Sequence, residues 1–372
     1  MPYEYKDVTE AIAKLAATNA VDTDRGTFPS AVIKEMGRTG MLGLVSSQDV
    51  GGKGLGMAEA AYVVERLARE CGSTAMVVCM HYTATAVLEQ QGPLDVRRAI
   101  ATGKHLTTLA FSEAGSRSQF WVPVSTAQLD GKNVRLNAKK SFITSARHAD
   151  SYVWSSKPAE GSELSTLWLV PRTTAGLRVA GTGFDGIGLR GNDSSEVTAE
   201  DVKLPATARL GNEGGGFGMM MEIVLPWFNV LSTAVSTGLM DAAVQKTAAH
   251  AATTPFEHAG STLADLPTIR AYIARMRIHA DQSKALLDDT IAAIRTKRLD
   301  AMVRVLECKA ASGESAAQVT DIAMRVCGGA AFRKDVAVER IFRDARASLV
   351  MGPTADVLYD FIGKAVCGLP LF

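Results

Sequence analysis

The chain is short of the patterns that most directly announce a metal site, a disulfide framework or a membrane. Its 6 histidines are scattered, without HExxH or any other metal-ligand spacing. The 5 cysteines (Cys71, Cys79, Cys308, Cys327 and Cys367) are odd in number and include no CxxC pair. They read as buried free thiols in a reducing cytoplasm. Dense Lys/Arg runs are missing and the formal charge is +1, which argues against a general nucleic-acid surface. The longest apolar stretches are broken by charges or Gly short of a membrane span. The opening MPYEYKDVTE lacks the basic start and apolar run of a secretory signal. The expectation is a cytoplasmic protein with neither a nucleic-acid nor a membrane partner.

What is present is ordinary globular composition: 372 residues, 47% hydrophobic and 21% charged, enough chain for two or three domains around a large core. Phe28, Val32, Ile33, Met36 and Met41 recur at helical spacing, and the pattern continues from Ala58 to Gln91. GGKGLG at 51–56 follows no strand and reads as a turn rather than a dinucleotide fingerprint. From about Leu106 to Ala208 short β-rich segments alternate with Gly, Pro, Asn and Asp, including 134–136, 151–154, 165–170 and 196–202. Helical spacing returns after Gly216, clearest over 268–295 and continuing over 300–327 and 354–366. Helices, then strands, then helices, without βα alternation, predict an α+β fold, mainly α. Its parts are an N-terminal helical bundle (1–106), a middle antiparallel β domain (107–211) and a C-terminal helical bundle (212–372).

Three segments carry the chemistry: FSEAGSRSQF at 111–120, KKSFITS at 139–145 and FRDARASLVMGPT at 342–354. Taken alone, the first two are compatible with plain strands whose hydroxyls sit on turns. Together, at this spacing, they resemble the flavin cradle of the acyl-CoA dehydrogenase family, and the resemblance runs from about Phe28 to the C-terminus. It implies helical bundles on both sides of a β domain, FAD as cofactor, and a homodimer or homotetramer. Phe111 and Ser112 match positions that hydrogen-bond the pyrimidine side of the isoalloxazine. Ser118 matches a Ser beside the flavin pyrophosphate and the acyl thioester. Phe142 stands where an aromatic ring packs on the flavin, and Thr144 where a hydroxyl reaches flavin N5. A buried isoalloxazine needs its polar edge satisfied, which is the task these groups would perform. Gly328 and Gly329 match a Gly pair that meets FAD from a neighbouring subunit, with Arg325 in place of a Gln. Thr354 and Asp356 complete the expected cofactor contacts, and Arg343-Asp344 reads as a fixed ion pair between elements.

The chain departs from the family pattern in several places. Ala114 replaces a Pro, Arg117 a small residue and Gln119 an Asp. An Arg that clamps the pyrophosphate across the dimer is replaced by Thr253, with extra residues before Leu266. The catalytic Glu expected nine residues after Arg343 is replaced by Gly352. A second location for that base, in 219–231, holds Trp227 and Phe228 instead of Glu and Arg, with Leu225 beside them; Glu222 and Asp356 are the nearest acids. Dehydrogenation of an acyl thioester needs a base within reach of the α-proton. His81, on a helix expected to line the acyl pocket next to Tyr82, is the candidate proton carrier. The resemblance implies a flavin-dependent oxidoreductase acting on CH–CH donors, on an acyl-CoA or acyl-carrier-protein substrate, with a non-standard base and an unidentified electron acceptor. The alternatives are a flavin monooxygenase on the same fold, or a non-redox member.

Overall fold

The computed structural model describes residues 4–161 and 165–371. The N-terminal part is helical: α1 (Glu4–Asp24), α2 (Ser30–Arg38), α3 (Met57–Ala68), α4 (Gly72–Gln91) and α5 (Leu94–Ala101). α2 places Val32, Ile33 and Met36 in the core on one face, as an i, i+1, i+4 pattern demands. α4 is apolar all round and buried over most of its length, the mark of a central helix. The Gly-rich turn at 51–56 is a loop between α2 and α3.

The middle part contains β1 (Thr107–Ala110), β2 (Thr126–Asp130), β3 (Asn133–Ile143), β4 (Ser151–Ser156), β5 (Thr166–Pro171), β6 (Leu177–Val179), β7 (Ser195–Pro205) and β8 (Arg209–Leu210). These form two four-stranded sheets, ordered β1-β4-β5-β8 and β2-β3-β7-β6. The expected strands are present, with one correction: β1 runs parallel to β4, so the first sheet is mixed. The chain leaves β1, forms the β2–β3 hairpin in the other sheet and returns in the same direction. Tyr152, Trp154, Trp168, Val134, Leu136 and Val197 belong to the core cluster of this domain.

The C-terminal part begins with one helical rod made of α6 (Gly216–Met219), a π turn (Met220–Val224) and α7 (Leu225–Thr253). A short hairpin of two-residue strands, β9 (Pro255–Phe256) with β10 (Ser261–Thr262), holds the extra residues before Leu266. α8 (Pro267–Arg295), α9 (Ala301–Cys327), α10 (Val338–Ala345), α11 (Ala347–Val350) and α12 (Ala355–Val366) follow. α7 packs against α3, α8 and α9. The stretch Gly216–Thr253 corrects the reading of apolar run length: it is long and apolar enough to cross a membrane, but 89% of its apolar window is buried inside the fold. It is the core helix of the bundle, hydrophobic all round because protein surrounds it. Four cysteines are buried, and Cys367 is exposed, contrary to expectation.

Candidate functional site

A cavity of about 730 Å³ opens where the β domain meets the C-terminal bundle and α4. Its walls bring together Phe111, Ser112, Ser118, Phe142, Thr144, Gly352 and Thr354, residues separated by up to 243 positions in the chain (354 − 111). The two motif turns are bonded directly: the Ser141 N–H donates to the Ser112 carbonyl at 2.9 Å. The third segment is tied in through Ser118, whose Oγ accepts the Thr354 N–H at 2.8 Å and lies 3.3 Å from Thr354 Oγ1.

Phe142 reaches the cavity because β3 is irregular there. The register with β7 shifts between Lys140 and Ile143, and Phe142 takes φ +55°, a strained value for an aromatic residue. Its ring is thrown out of the pleat, 67% exposed and 4.6 Å from the Phe184 ring. Strain of this kind persists where the surroundings over-determine it, often at ligand sites.

Beneath the turn at 111–120 lies an ion pair that the motif reading did not single out. Lys140 bonds the Glu113 carboxylate with both side chains out of water. Glu113 also accepts from the Val124 and Ser125 N–H groups at 2.8 and 2.9 Å, and Lys140 donates to the Ser155 carbonyl at 2.7 Å. Burial alone would raise the Glu113 carboxyl, but the Lys140 charge and these hydrogen bonds hold it below the usual range. Burial pushes Lys140 down to about 8, so both members remain charged at neutral pH. The pair staples the two motifs together. Strand alternation could not have revealed it, because a lysine in a strand normally faces water.

The loop 351–354 is pinned from below. Lys309 of α9, 3% exposed, donates to the carbonyls of Met351 (3.0 Å) and Pro353 (2.7 Å) on either side of Gly352. Burial pushes its ammonium down to about 8. A Cβ at Gly352 would stand 3.1 Å from the Ser118 carbonyl, tighter than ordinary packing. A second wall, Phe184 to Leu189, is held by α10: the Asp344 carboxylate accepts the Leu189 N–H at 2.6 Å, and Gly188 approaches so closely that a Cβ would meet the Arg343 carbonyl at 2.3 Å. The expected tie through Arg343 is present, reaching Asp24 of α1 at 2.7 Å and Glu339 at 2.6 Å, while Asp344 serves the Leu189 backbone instead.

Other expected residues lie elsewhere. His81 is fully buried and does not line the cavity. Its Nδ1 accepts the Thr107 N–H at 3.2 Å, so the ring proton sits on Nε2, which donates to the Leu42 carbonyl at 3.0 Å. Burial pushes its pKa down to about 4. The expectation of a proton-carrying His81 is therefore corrected: it is a neutral, fully engaged core histidine. Tyr82 is likewise buried, donating to the Met41 carbonyl at 2.7 Å. α4 does line the cavity, but through Met76 and Met80, one helical turn apart on another face. Val224 and Phe228 line it as well, whereas Trp227 is half-buried outside it and Glu222 is exposed.

Arg325, Gly328, Gly329 and Asp356 are exposed and stand outside the cavity lining. Within one chain they do not join the site. Thr253 is exposed at the end of α7. Among the described residues, the lining contains no His, Asp, Cys, Tyr or Lys, and its one Glu is Glu113, already locked to Lys140. Gly352 thus leaves no side-chain base at the position where one is expected.

Comparison with known proteins places this geometry. Residues 5–101, 108–202 and 214–367 match, in order, the N-terminal, middle and C-terminal domains of acyl-CoA dehydrogenase. The chain is 27% identical over 341 residues to the mitochondrial short-chain specific acyl-CoA dehydrogenase of Homo sapiens, covering 89% of this chain and 81% of that one. The structure of butyryl-CoA dehydrogenase from Megasphaera elsdenii superposes with a TM-score of 0.88 at 22% identity, covering 97% of this chain and 98% of that one. The prolyl acyl carrier protein oxidase AnaB gives 0.86 at 20% identity, covering 98% of each. At these identities the two structures bear on the fold alone. The three matched domains span nearly all of the chain, which belongs to the acyl-CoA dehydrogenase family, flavoprotein oxidoreductases acting on CH–CH donors with FAD as cofactor.

Proposed function

We propose that this protein is an FAD-dependent oxidoreductase acting on an acyl thioester, with CoA or a carrier-protein phosphopantetheine as handle, and that no side chain at position 352 removes the α-proton. The observation that carries this reading is one cavity whose wall combines the hydroxyls of Ser112, Ser118, Thr144 and Thr354 with an apolar stretch of Met76, Met80, Leu109, Phe111, Phe120 and Phe228. Such a wall suits a ring with a polar edge beside an acyl chain.

The lining fits the cofactor. Phe142 offers an exposed ring face, Ser112 and Thr144 offer hydroxyls on bonded neighbouring turns, and cationic Arg117 stands near the Ser118–Thr354 contact. When bound, FAD supplies a hydride acceptor for the substrate β-carbon. The chain's residues then have distinct tasks. Ser112 and Thr144 hold the ring's polar edge, and Met76, Met80 and Phe228 exclude water from the acyl group. Lys309 fixes the loop that carries Gly352 through two carbonyls. Because the described lining offers no free side-chain acceptor for the α-proton, a simple saturated acyl thioester is expected to react slowly.

A second reading, flavin-dependent monooxygenation, is favoured by the same lack of a base among the described lining residues, because activating oxygen needs no α-proton acceptor. Anaerobic mixing separates the two. Bleaching of the flavin by acyl-CoA or acyl-carrier-protein thioesters without any reductase supports dehydrogenation. Turnover only with a reductase and oxygen would replace it with the second reading. A protein that takes up no FAD would remove both. The Cys thiols, none of them paired, suit the cytoplasm. A homodimer or homotetramer suits the exposed Gly328-Gly329 loop, which would meet the cofactor of a neighbouring subunit.

A further inference from the structure

Three guanidinium groups line the cavity, and two already have partners. Arg343 is paired with Asp24 and Glu339. Arg346 lies 4.1 Å over the Phe342 ring and donates to the Ala317 carbonyl. Arg117 differs from both. It is exposed, and no hydrogen bond or ion pair joins its side chain to any described residue. Its backbone is left-handed, at φ +48°, which a residue with a Cβ adopts only at a cost. The one carboxylate in the described lining, that of Glu113, is neutralised by Lys140. The cavity therefore presents a positive charge that the lining does not compensate, on a strained turn next to the Ser118–Thr354 hydroxyl pair.

An uncompensated guanidinium in a cavity wall suits a multiply charged oxyanion, which its planar fork can grip with two hydrogen bonds. We propose that Arg117 holds the diphosphate of FAD and takes over the task of the guanidinium missing at Thr253. The proposal rests on the FAD reading above. Arg325 has its guanidinium 5.5 Å over the Tyr272 ring and does not line this cavity. CoA carries the same diphosphate chemistry, so the test must tell the two sources apart.

The test titrates the flavin-free protein with FAD, riboflavin and CoA, comparing wild type with Arg117→Gly and Arg117→Lys. Gly accepts the left-handed backbone, so the thermal midpoint of the Gly variant should not fall. FAD affinity should drop about tenfold or more in the Gly variant and recover in part in the Lys variant, because a point charge replaces a fork. Riboflavin, which has the ring without phosphate, should bind all three proteins alike. Added salt should weaken FAD binding more in wild type than in the Gly variant. Equal FAD affinity in wild type and the Gly variant would overturn the proposal. So would loss of CoA with FAD retained, which would assign Arg117 to the substrate handle, or loss of riboflavin, which would place it on the ring. Failure of wild type itself to bind FAD would overturn the cofactor reading, and this proposal with it.

Discussion

At the scale of single residues, chemistry-bearing side chains are sorted by which face of an element they occupy. His81 and Met80 are neighbours in α4, yet one is sealed between two backbone groups and the other lines the cavity. Residue type alone suggests the histidine, and only the helix phase excludes it. The histidine instead leaves a signature in stability. Its pKa falls from 6.5 to about 4 on folding, so the unfolded chain binds the extra proton between those values. Stability is therefore lost as pH falls from 6.5 towards 4, by up to roughly 3 kcal/mol from this one group. His81→Gln should flatten the pH dependence of urea midpoints over that window. It should leave FAD affinity within about twofold, a difference worth less than half a kcal/mol. An unchanged slope would mean that the ring is not buried neutral. Gly352 gives a second residue-scale expectation. Gly352→Ala would press a methyl towards the Ser118 carbonyl 3.1 Å away and should cost about 1 kcal/mol by thermal unfolding. Full stability would show that the loop has slack.

At the scale of elements, the loop 351–354 depends on α9 through Lys309 and on the 111–120 turn through Ser118. Lys309→Met removes two charge-assisted hydrogen bonds but also a costly buried charge, so global stability should change little. Hydrogen exchange at the Thr354 amide should nevertheless quicken, because its acceptor Ser118 Oγ is held in place only while the loop is. Unchanged exchange at Thr354 would show that Lys309 does not position the loop. The helices and most strands were legible because their periodicity is local: α8 and α9 begin and end within a residue or two of the expected spans. The parallel pairing of β1 with β4 was not legible, because it is set by where the β2–β3 hairpin packs rather than by any residue of β1. The wall from Phe184 to Leu189 was missed for a similar reason. Its position is dictated by Asp344, 155 residues further along the chain.

At the scale of the whole molecule, one chain brings together the hydroxyl turns and the acyl wall, while Gly328, Gly329 and Arg325 remain on the surface. If a second copy supplies that surface to the adenosine end of FAD, dilution that separates subunits should release FAD at the same protein concentration. Mass photometry alongside flavin fluorescence would follow both, and a monomer retaining FAD would contradict the shared site. The most direct measurement is a crystal structure of the FAD-loaded protein. Flavin N5 is expected at hydrogen-bond distance, about 3 Å, from Thr144 Oγ1, with the ring against Phe142 and no carboxylate facing the substrate side at Gly352. A flavin bound away from Thr144, or an Asp or Glu aimed at the ring's substrate face, would contradict it.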